Sequence, residues 1–364
     1  MNASELSGAW KVAARAARAM LGEGENPVYS PVCILEGLRA MRLGAFDRTA
    51  SELDALIGGQ PSGKDRYGIG TDPGGRHAWA YDGYAAGVVA GVWIDDGAAP
   101  AEGFEASCAS ADVSVAFADF SDPRAGERLS RWVAERTEGL LEPEVGVDPE
   151  ALACVVSALH LKDAWEDGFY EWLTEGGPFH AEEGDVQADY MTSEDLLRVA
   201  DLDFGTVVSK PFSNGASMLL VLPREGADAR AVVGDPGALA RLAGFDGAET
   251  DVELHLPKFT CETTGVDMCR ALVEAGFESA AAPDLRLMTG SPASPTSYAH
   301  GAKVTIEEAG MEAGAYFVGA VAAGMPPEGW EPPVPRIIVL DRPFAFVVVS
   351  RTDQPLFVGV VTRP

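Results

Sequence analysis

The chain has 364 residues, of which 47% are hydrophobic and 23% are charged, and its formal net charge at pH 7 is −29. This composition is typical of a globular protein with a large core. The excess of 56 acidic over 27 basic residues argues against nucleic-acid binding, which depends on a basic surface.

The sequence contains neither a membrane span nor a recognisable metal site. No apolar run is long enough to cross a bilayer, and the N-terminal stretch has no apolar signal core. We therefore expect a cytoplasmic location, with extracellular action left open. The cysteines are odd in number, lack zinc spacing and lie mostly among apolar neighbours, so we expect small buried side chains and no cofactor or metal; they are Cys33, Cys108, Cys154, Cys261 and Cys269.

Helices dominate the first part of the chain. Apolar residues recur at helical spacing from Ser4 to Leu21. SPVCILEGLRAMRLGA predicts a second helix with Ser30 as its cap and Pro31 at its first position. DRTASELDALIGG predicts a third helix that ends at glycine. Two strands, AAGVVAGVWIDD and DVSVAFADF, flank a short helix in PAEGFEASCASA, and the stretch that contains LSRWVAER is a strongly amphipathic helix.

Strands dominate the rest. ALACVVSALHLKDAW is a long apolar strand, and TVVSKPFSNGASMLLVLPREG is a hairpin with Asn214-Gly215 at its turn. DVELHLPKFTCETT reads as one strand and GVDMCRALVEAGF as a helix, and the chain closes with the strands PFAFVVVSR and PLFVGVVTRP. Helices first and strands later indicate an α+β fold. The length favours about two domains, but no convincing linker divides the chain.

No catalytic constellation is recognisable. The five histidines form no HExxH spacing, no G-x-S-x-G elbow is present, and the glycine-rich YGIGTDPGG follows no strand. His160 and His300 lie in apolar stretches, where a hydrogen-bonded core histidine is the more common case. We therefore expect a protein that is not an enzyme.

Several segments, in order along nearly the whole chain, resemble the serpin family. NPVYSPVCILEGLRAMRLGAFDRTASELDALIG is similar to its second and third helices, and LSRWVAERTEGLLEP to the helix that crosses its main sheet. SALHLKDAWEDGF resembles a strand of that sheet, and ELHLPKF matches a further landmark. AHGAKVTIEEAGMEAGA resembles the strand that leads into the reactive-centre loop, and DRPFAFVVVSRTDQPLFVGVVTRP resembles the family's C-terminal end.

The resemblance implies a single domain over residues 1–364, with three β-sheets, eight or nine helices and an exposed reactive-centre loop at residues 308–335. The implied activity is suicide inhibition of a serine or cysteine protease by a monomer. The protease cuts the loop and forms an acyl-enzyme. The cut loop then inserts into the central sheet as a new strand and traps the protease.

The resemblance also places a hinge at the start of this loop, and its sequence alternates in a way that suits a buried strand. One face would carry uncharged side chains, beginning with Met311 and Ala313, and Glu312 would fall on the other face. Met311, Tyr316 and Phe317 are bulky for this position and would slow insertion. The hinge residues are Glu308, Gly310, Met311, Glu312, Ala313, Gly314 and Ala315.

Two further family sites lie along the main sheet. In the shutter, beneath the middle of the sheet, Ser30 and His300 match family positions, whereas Cys33 and Ser157 stand where a serine and an asparagine are usual. This exchange weakens the expected polar network, because a thiol is a poor hydrogen-bonding partner. In the breach, at the top of the sheet where the loop first enters, Trp165 matches the family tryptophan.

The scissile bond is left between alternatives. Counting forward from the hinge gives Gly324-Met325, and counting back from PRIIVLDRPF gives a point near Glu331-Pro332. Proline after the bond resists cleavage, which leaves Ala323-Gly324, Gly324-Met325 and Glu328-Gly329. The segment AVAAGM is small and apolar, so an elastase-like or subtilisin-like target fits better than a trypsin-like one.

The leading hypothesis is therefore an inhibitor of a serine protease that prefers small apolar residues. The alternatives are a non-inhibitory protein of this fold that binds a ligand or partner, and a scaffold recruited for another activity. The bulky hinge residues and the exchanges at Cys33 and Ser157 favour the first alternative.

Overall fold

The computed structural model describes residues 8–22, 24–58, 67, 85–136, 139, 145–263, 268–292, 294, 296–311 and 334–364. Within these residues it has nine α-helices and one short 3-10 helix at Glu171–Leu173. The α-helices are α1 (Gly8–Met20), α2 (Pro31–Gly44), α3 (Asp47–Ile57), α4 (Phe104–Ser110), α5 (Ala125–Arg136), α6 (Ala229–Val233), α7 (Pro236–Ala243), α8 (Met268–Ala275) and α9 (Arg286–Thr289).

A seven-stranded central sheet carries the candidate site. Its strands are β2 (Ala85–Asp95), β3 (Val113–Ala118), β4 (Ala153–Ala164), β10 (Phe259–Thr263), β11 (Thr296–Ala299), β12 (Ala302–Glu307) and β13 (Gly310–Met311). They lie in the order β10-β12-β13-β4-β2-β3, and β11 also pairs with β4. The edge strand β3 is parallel to β2, and β2 is antiparallel to β4 over ten residue pairs.

The remaining nine strands form a second network, which divides into two sheets that share the long strand β6. Its strands are β1 (Val28–Tyr29), β5 (Glu175–Ala181), β6 (Gly184–Leu202), β7 (Gly205–Pro211), β8 (Ser217–Pro223), β9 (Ala248–Pro257), β14 (Arg336–Val339), β15 (Phe344–Val349) and β16 (Pro355–Val361). One end of β6 pairs with β7, which continues through β8, β15 and β16 to β1. The rest of β6 pairs with β5 and β9, and β9 pairs with β14.

Strand β4 separates two hydrophobic layers, because successive side chains of a strand point to opposite faces. Cys154, Val156 and Ala158 pack with α5 on one face. Val155 and Leu159 belong to the main core on the other face. The long apolar run of β4 in the sequence thus reflects burial on both faces.

The predicted elements agree with the structure in most places. Helix α2 begins at Pro31 after a cap at Ser30, whose side chain accepts a hydrogen bond from the Cys33 N–H, and the β7–β8 hairpin turns at Asn214-Gly215. The prediction of one strand over DVELHLPKFTCETT was wrong: the segment breaks at Lys258 into β9 and β10, which lie in different sheets. The sequence pattern does not indicate this change of sheet, because β9 and β10 both alternate between more buried and less buried residues.

Among the described residues, no helix is both long enough and apolar enough to cross a bilayer.

Candidate functional site: the opening of the central sheet

The two ends of β4 have different partners on the same side. At the lower end, Ala153–Val156 pair directly with β11 in parallel. At the upper end, Asp163 and Ala164 pair instead with Met311 and Gly310 of β13, antiparallel. The other edge of β13 pairs with β12. The chain therefore turns back after β12 and begins an additional strand between β12 and β4.

Glycine is required where the chain makes this turn. Gly310 has φ = +147°, a conformation that other residues rarely adopt. A Cβ atom at this position would lie 2.2 Å from the carbonyl oxygen of Asp163 and 2.7 Å from Cα of Ala164. The close approach of β13 to β4 thus depends on the missing side chain. Met311 follows as a buried residue, with 1% of its surface exposed.

Trp165 holds the turn from below. Its backbone N–H donates to the carbonyl of Ala309 at 3.0 Å, and its indole Nε1–H donates to the carbonyl of Glu307 at 3.1 Å. The indole ring is stacked on Phe212, with ring centroids 4.3 Å apart, and meets Phe169 edge-on. A buried aromatic anchor therefore fixes the position of the hinge.

Glu308 is fixed by side chains from two other segments. Its Oε1 accepts hydrogen bonds from Lys258 Nζ at 2.7 Å and Thr174 Oγ1 at 2.8 Å. Burial alone would raise the pKa of Glu308, but the bonds from Lys258 and Thr174 outweigh it and lower the pKa. The N–H of Phe169 also donates to the Glu308 carbonyl at 3.0 Å. Lys258 occupies the break between β9 and β10, so the change of sheet places its ammonium group at the hinge.

Asp163 is the least expected residue of the site. It is fully buried, at 0% exposure, and neither carboxylate oxygen makes a hydrogen bond of ordinary geometry with any residue that the structure describes. Burial raises its pKa to about 7, although Asn214 and the N–H of Ala164 lie near enough to lower it in part. A buried carboxylate without a firm partner is costly when ionised.

A second buried charge near Trp165 is paired. Lys210 Nζ lies 2.6 Å from Asp195 Oδ2, and 4.5 Å from the centroid of the Phe169 ring. Burial lowers the pKa of Lys210, and the neighbouring Asp195 opposes this effect. The contrast with Asp163 is plain, because Lys210 has both an ion-pair partner and aromatic faces around it.

The shutter residues meet where the sequence placed them. The Ser30 N–H donates to His300 Nε2 at 3.3 Å. Nε2 is therefore the unprotonated nitrogen, and Nδ1 carries the proton. Nδ1 is buried and has no hydrogen-bond partner in the part of the chain that the structure describes. Burial lowers the pKa of His300 to about 4, so the ring is neutral at physiological pH.

Cys33 and Ser157 are joined by a hydrogen bond in which the thiol takes no part. Ser157 Oγ donates to the Cys33 carbonyl at 2.6 Å, which ties β4 to α2. Burial raises the pKa of the Cys33 thiol to about 12, so it stays protonated. The Nδ1–H of His300, by contrast, has no acceptor among the described residues. Beside it lies a cavity of about 20 Å³, lined in part by Ser157, His300 and Tyr298.

The comparisons with known proteins identify this arrangement. The family profile described as Serpin (serine protease inhibitor) matches residues 9–364. The chain belongs to the serpin family. It is 25% identical to serpin-Z7 of Hordeum vulgare, over 93% of this chain and 90% of that protein.

Solved structures show the same fold. The native-state crystal structure of the thermophilic serpin tengpin has a TM-score of 0.81 at 19% identity, and the match covers 98% of this chain and 93% of that one. Thyroxine-binding globulin in complex with thyroxine has a TM-score of 0.75 at 22% identity, over 98% of this chain and 99% of that one. The serpin fold, with nine helices among the described residues and three sheets, is confirmed.

The structure brings together part of the expected site. Glu308, Gly310 and Met311 lie with Trp165 at the upper end of the sheet, and Ser30, Cys33, Ser157 and His300 lie together beneath it. The remaining hinge residues, Glu312 to Ala315, and the candidate bonds at Gly324-Met325 and Glu328-Gly329 lie outside the described residues. The sequence interpretation missed Asp163, Lys258, Thr174 and Lys210. Asp163 and Lys258 lie within the quoted family-like segments SALHLKDAWEDGF and ELHLPKF, whereas Thr174 and Lys210 lie outside such segments.

Proposed function

We propose that this serpin inhibits a serine protease that cleaves after small apolar residues, by a suicide mechanism. The observation that carries the proposal is the two-residue strand Gly310–Met311, which already lies between β12 and β4. A strand that continued from Met311 would run between β12 and β4, which are not paired with each other among the described residues, until it reached the pairing of β11 with β4. Main-chain hydrogen bonds to both neighbours would then drive insertion.

Different residues of the chain have different roles in this mechanism. The loop offers a peptide bond, and the protease forms an acyl-enzyme with the carbonyl carbon at the cut. Gly310 allows the chain to turn back, while Trp165 and the Lys258–Glu308 pair hold the base of the loop still. Insertion must outrun hydrolysis of the acyl bond, so the hinge must enter the sheet without a buried charge.

The small apolar segment AVAAGM supports the choice of target. We place the scissile bond at Gly324-Met325, with Ala323-Gly324 and Glu328-Gly329 as the alternatives. Incubation with an elastase-like and a subtilisin-like protease should give a covalent complex that survives denaturing electrophoresis. Mass spectrometry of the released C-terminal peptide locates the bond. Cleavage in the loop without a complex would instead mean a non-inhibitory serpin.

A matched pair of hinge variants tests the insertion step. Ala313→Arg places a charge on the face that the alternation predicts to be buried, and it should convert the inhibitor into a substrate. Glu312→Arg places the same charge on the opposite face and should leave trapping largely intact. Equal trapping by both variants would contradict insertion of the hinge as a strand.

A further inference from the structure

The upper end of the central sheet contains an ionisable group for which the mechanism above has no use. Asp163 lies on β4, in register with Met311. Its backbone is in van der Waals contact with the turn, since the space for a Cβ on Gly310 is taken by the Asp163 carbonyl. The state of this side chain is therefore coupled to the place where the loop begins its strand.

Burial is the main influence on Asp163. On β4 it shares a face with Leu161 and Trp165, both buried. From the β7–β8 hairpin, the amide of Asn214 approaches it. The charged side chains on the elements packed around this place are Lys162 on β4, Glu307 on β12, the Lys258–Glu308 pair, and the Lys210–Asp195 pair on β7 and β6.

None of these charged groups forms a hydrogen bond or ion pair with the Asp163 carboxylate among the described residues. The two lysines that come from neighbouring strands are already bound to Glu308 and Asp195. The approach of Asn214 and of the Ala164 N–H offsets only part of the cost of burial. An ionised Asp163 therefore gains further stability by reaching water, which requires β4 to separate from β13 or from the hairpin.

We propose that Asp163 is a proton-operated latch on loop insertion: protonated, it keeps the upper end of the sheet closed around Gly310–Met311, and ionised, it favours opening. The inference rests on the proposed function for its purpose, since an open upper end is what the rest of the loop needs in order to insert. Opening is then suppressed in mild acid and released above neutral pH, where the carboxylate loses its proton.

Amide hydrogen exchange tests the latch without any protease. Exchange is followed by mass spectrometry in peptides covering residues 157–169 and 303–311, corrected for the intrinsic effect of pH on chemical exchange. In the parent, opening should rise about 10-fold between pH 6 and pH 8.5 and level off above pH 7. In Asp163→Asn, the corrected exchange should be slow and independent of pH.

The controls separate the latch from general loosening. Glu166→Gln removes an exposed carboxylate three residues away on the same segment and should follow the parent. Peptides from β15 and β16, which are fully or almost fully buried, should keep their protection throughout. Asp163→Ser supplies a second non-ionising side chain should the asparagine variant fail to fold.

Superimposable pH profiles for the parent and Asp163→Asn, or a parent whose upper end closes as pH rises, would overturn the proposal. The outcome is independent of protease trapping. Absence of a covalent complex counts against the inhibitory function and leaves the exchange result standing, whereas a complex with a pH-independent upper end removes only the latch.

Discussion

The lower and upper ends of β4 pair with different strands, in opposite directions. At the lower end, β11 lies directly against β4 in parallel, above the shutter residues Ser30 and His300. At the upper end, the antiparallel strand β13 separates β4 from β12, next to Trp165 and Asp163. The sheet is thus continuous between β11 and β4 at its lower end, whereas β13 lies between β12 and β4 at its upper end.

This difference shows which end of the sheet is less firmly paired around the hinge. The lower end has ordinary sheet pairing and one weak point, the unsatisfied Nδ1–H of His300. Within the described residues, the upper end has a positive-φ glycine, a buried carboxylate without a firm partner, and two residue pairs between β13 and each neighbour. Insertion should therefore begin at the top and be resisted at the shutter.

The largest effect is expected from Gly310→Ala. The new Cβ would collide with the Asp163 carbonyl, and the residue would have to keep a positive φ. Together these effects disfavour the pairing of β13 with β4 by on the order of 4 kcal/mol. The variant should lose covalent trapping and any rise in unfolding temperature after loop cleavage. Gly168→Ala is the control, because its Cβ would meet only the Glu308 carbonyl at an ordinary 3.5 Å. Normal trapping by Gly310→Ala would remove β13 from the mechanism.

The Asp163→Asn variant should be more stable than the parent protein at alkaline pH. The folded pKa of Asp163 is about 7, against an ordinary value of 3.8, so the folded chain binds a proton that the unfolded chain has lost. The cost is nearly absent below pH 4, grows as pH rises to 7, and is complete above pH 7, at roughly 4 kcal/mol. Urea unfolding at pH 5 and pH 8 measures it. The variant should gain less than half as much stability at pH 5 as at pH 8, and an equal gain at both values would point to packing instead of charge.

His300 should show the opposite slope. Its folded pKa of about 4 lies below the ordinary 6.5, so stability is lost as pH falls from 6.5 to 4, when the unfolded chain takes up the proton. His300→Ala removes this slope and leaves the Ser30 N–H without its acceptor, at a cost of about 1–3 kcal/mol near pH 7. His180→Ala, at an exposed histidine, is the control. Unchanged stability with loss of a specific activity would mean that the structural interpretation is wrong.

The smallest effect is expected from Ser157→Asn. The longer amide can enter the cavity of about 20 Å³ beside His300, accept the Nδ1–H and still donate to the Cys33 carbonyl. Filling the cavity and satisfying this N–H should add about 1 kcal/mol of stability and slow insertion by strengthening the closed end. Ser157→Val fills similar space without an acceptor and should gain less. Equal thermal midpoints for the two variants would mean that the missing acceptor is unimportant.

The chain's local patterns already contained most of the fold. The Ser30-Pro31 start of α2, the Asn214-Gly215 turn and the apolar run of β4 each report a local rule: capping, turn conformation, or burial on both faces. The ordered series of family-like segments then indicated the serpin fold, and it placed Glu308, Gly310 and Trp165 at the hinge and breach. These features are predictable because each depends on neighbours in the sequence.

Only the tertiary structure decided which side chains share the opening. Lys258 reaches Glu308 because the strand breaks between β9 and β10, and Thr174 comes from the segment after β4. Asp163 was not singled out in the apolar run of β4, yet its side chain is fully buried next to the turn at Gly310. The sequence specifies which residues can turn, cap and be buried. Whether a charged side chain is paired, exposed to water or buried without a partner depends on segments that are distant in the sequence and meet only in the folded protein.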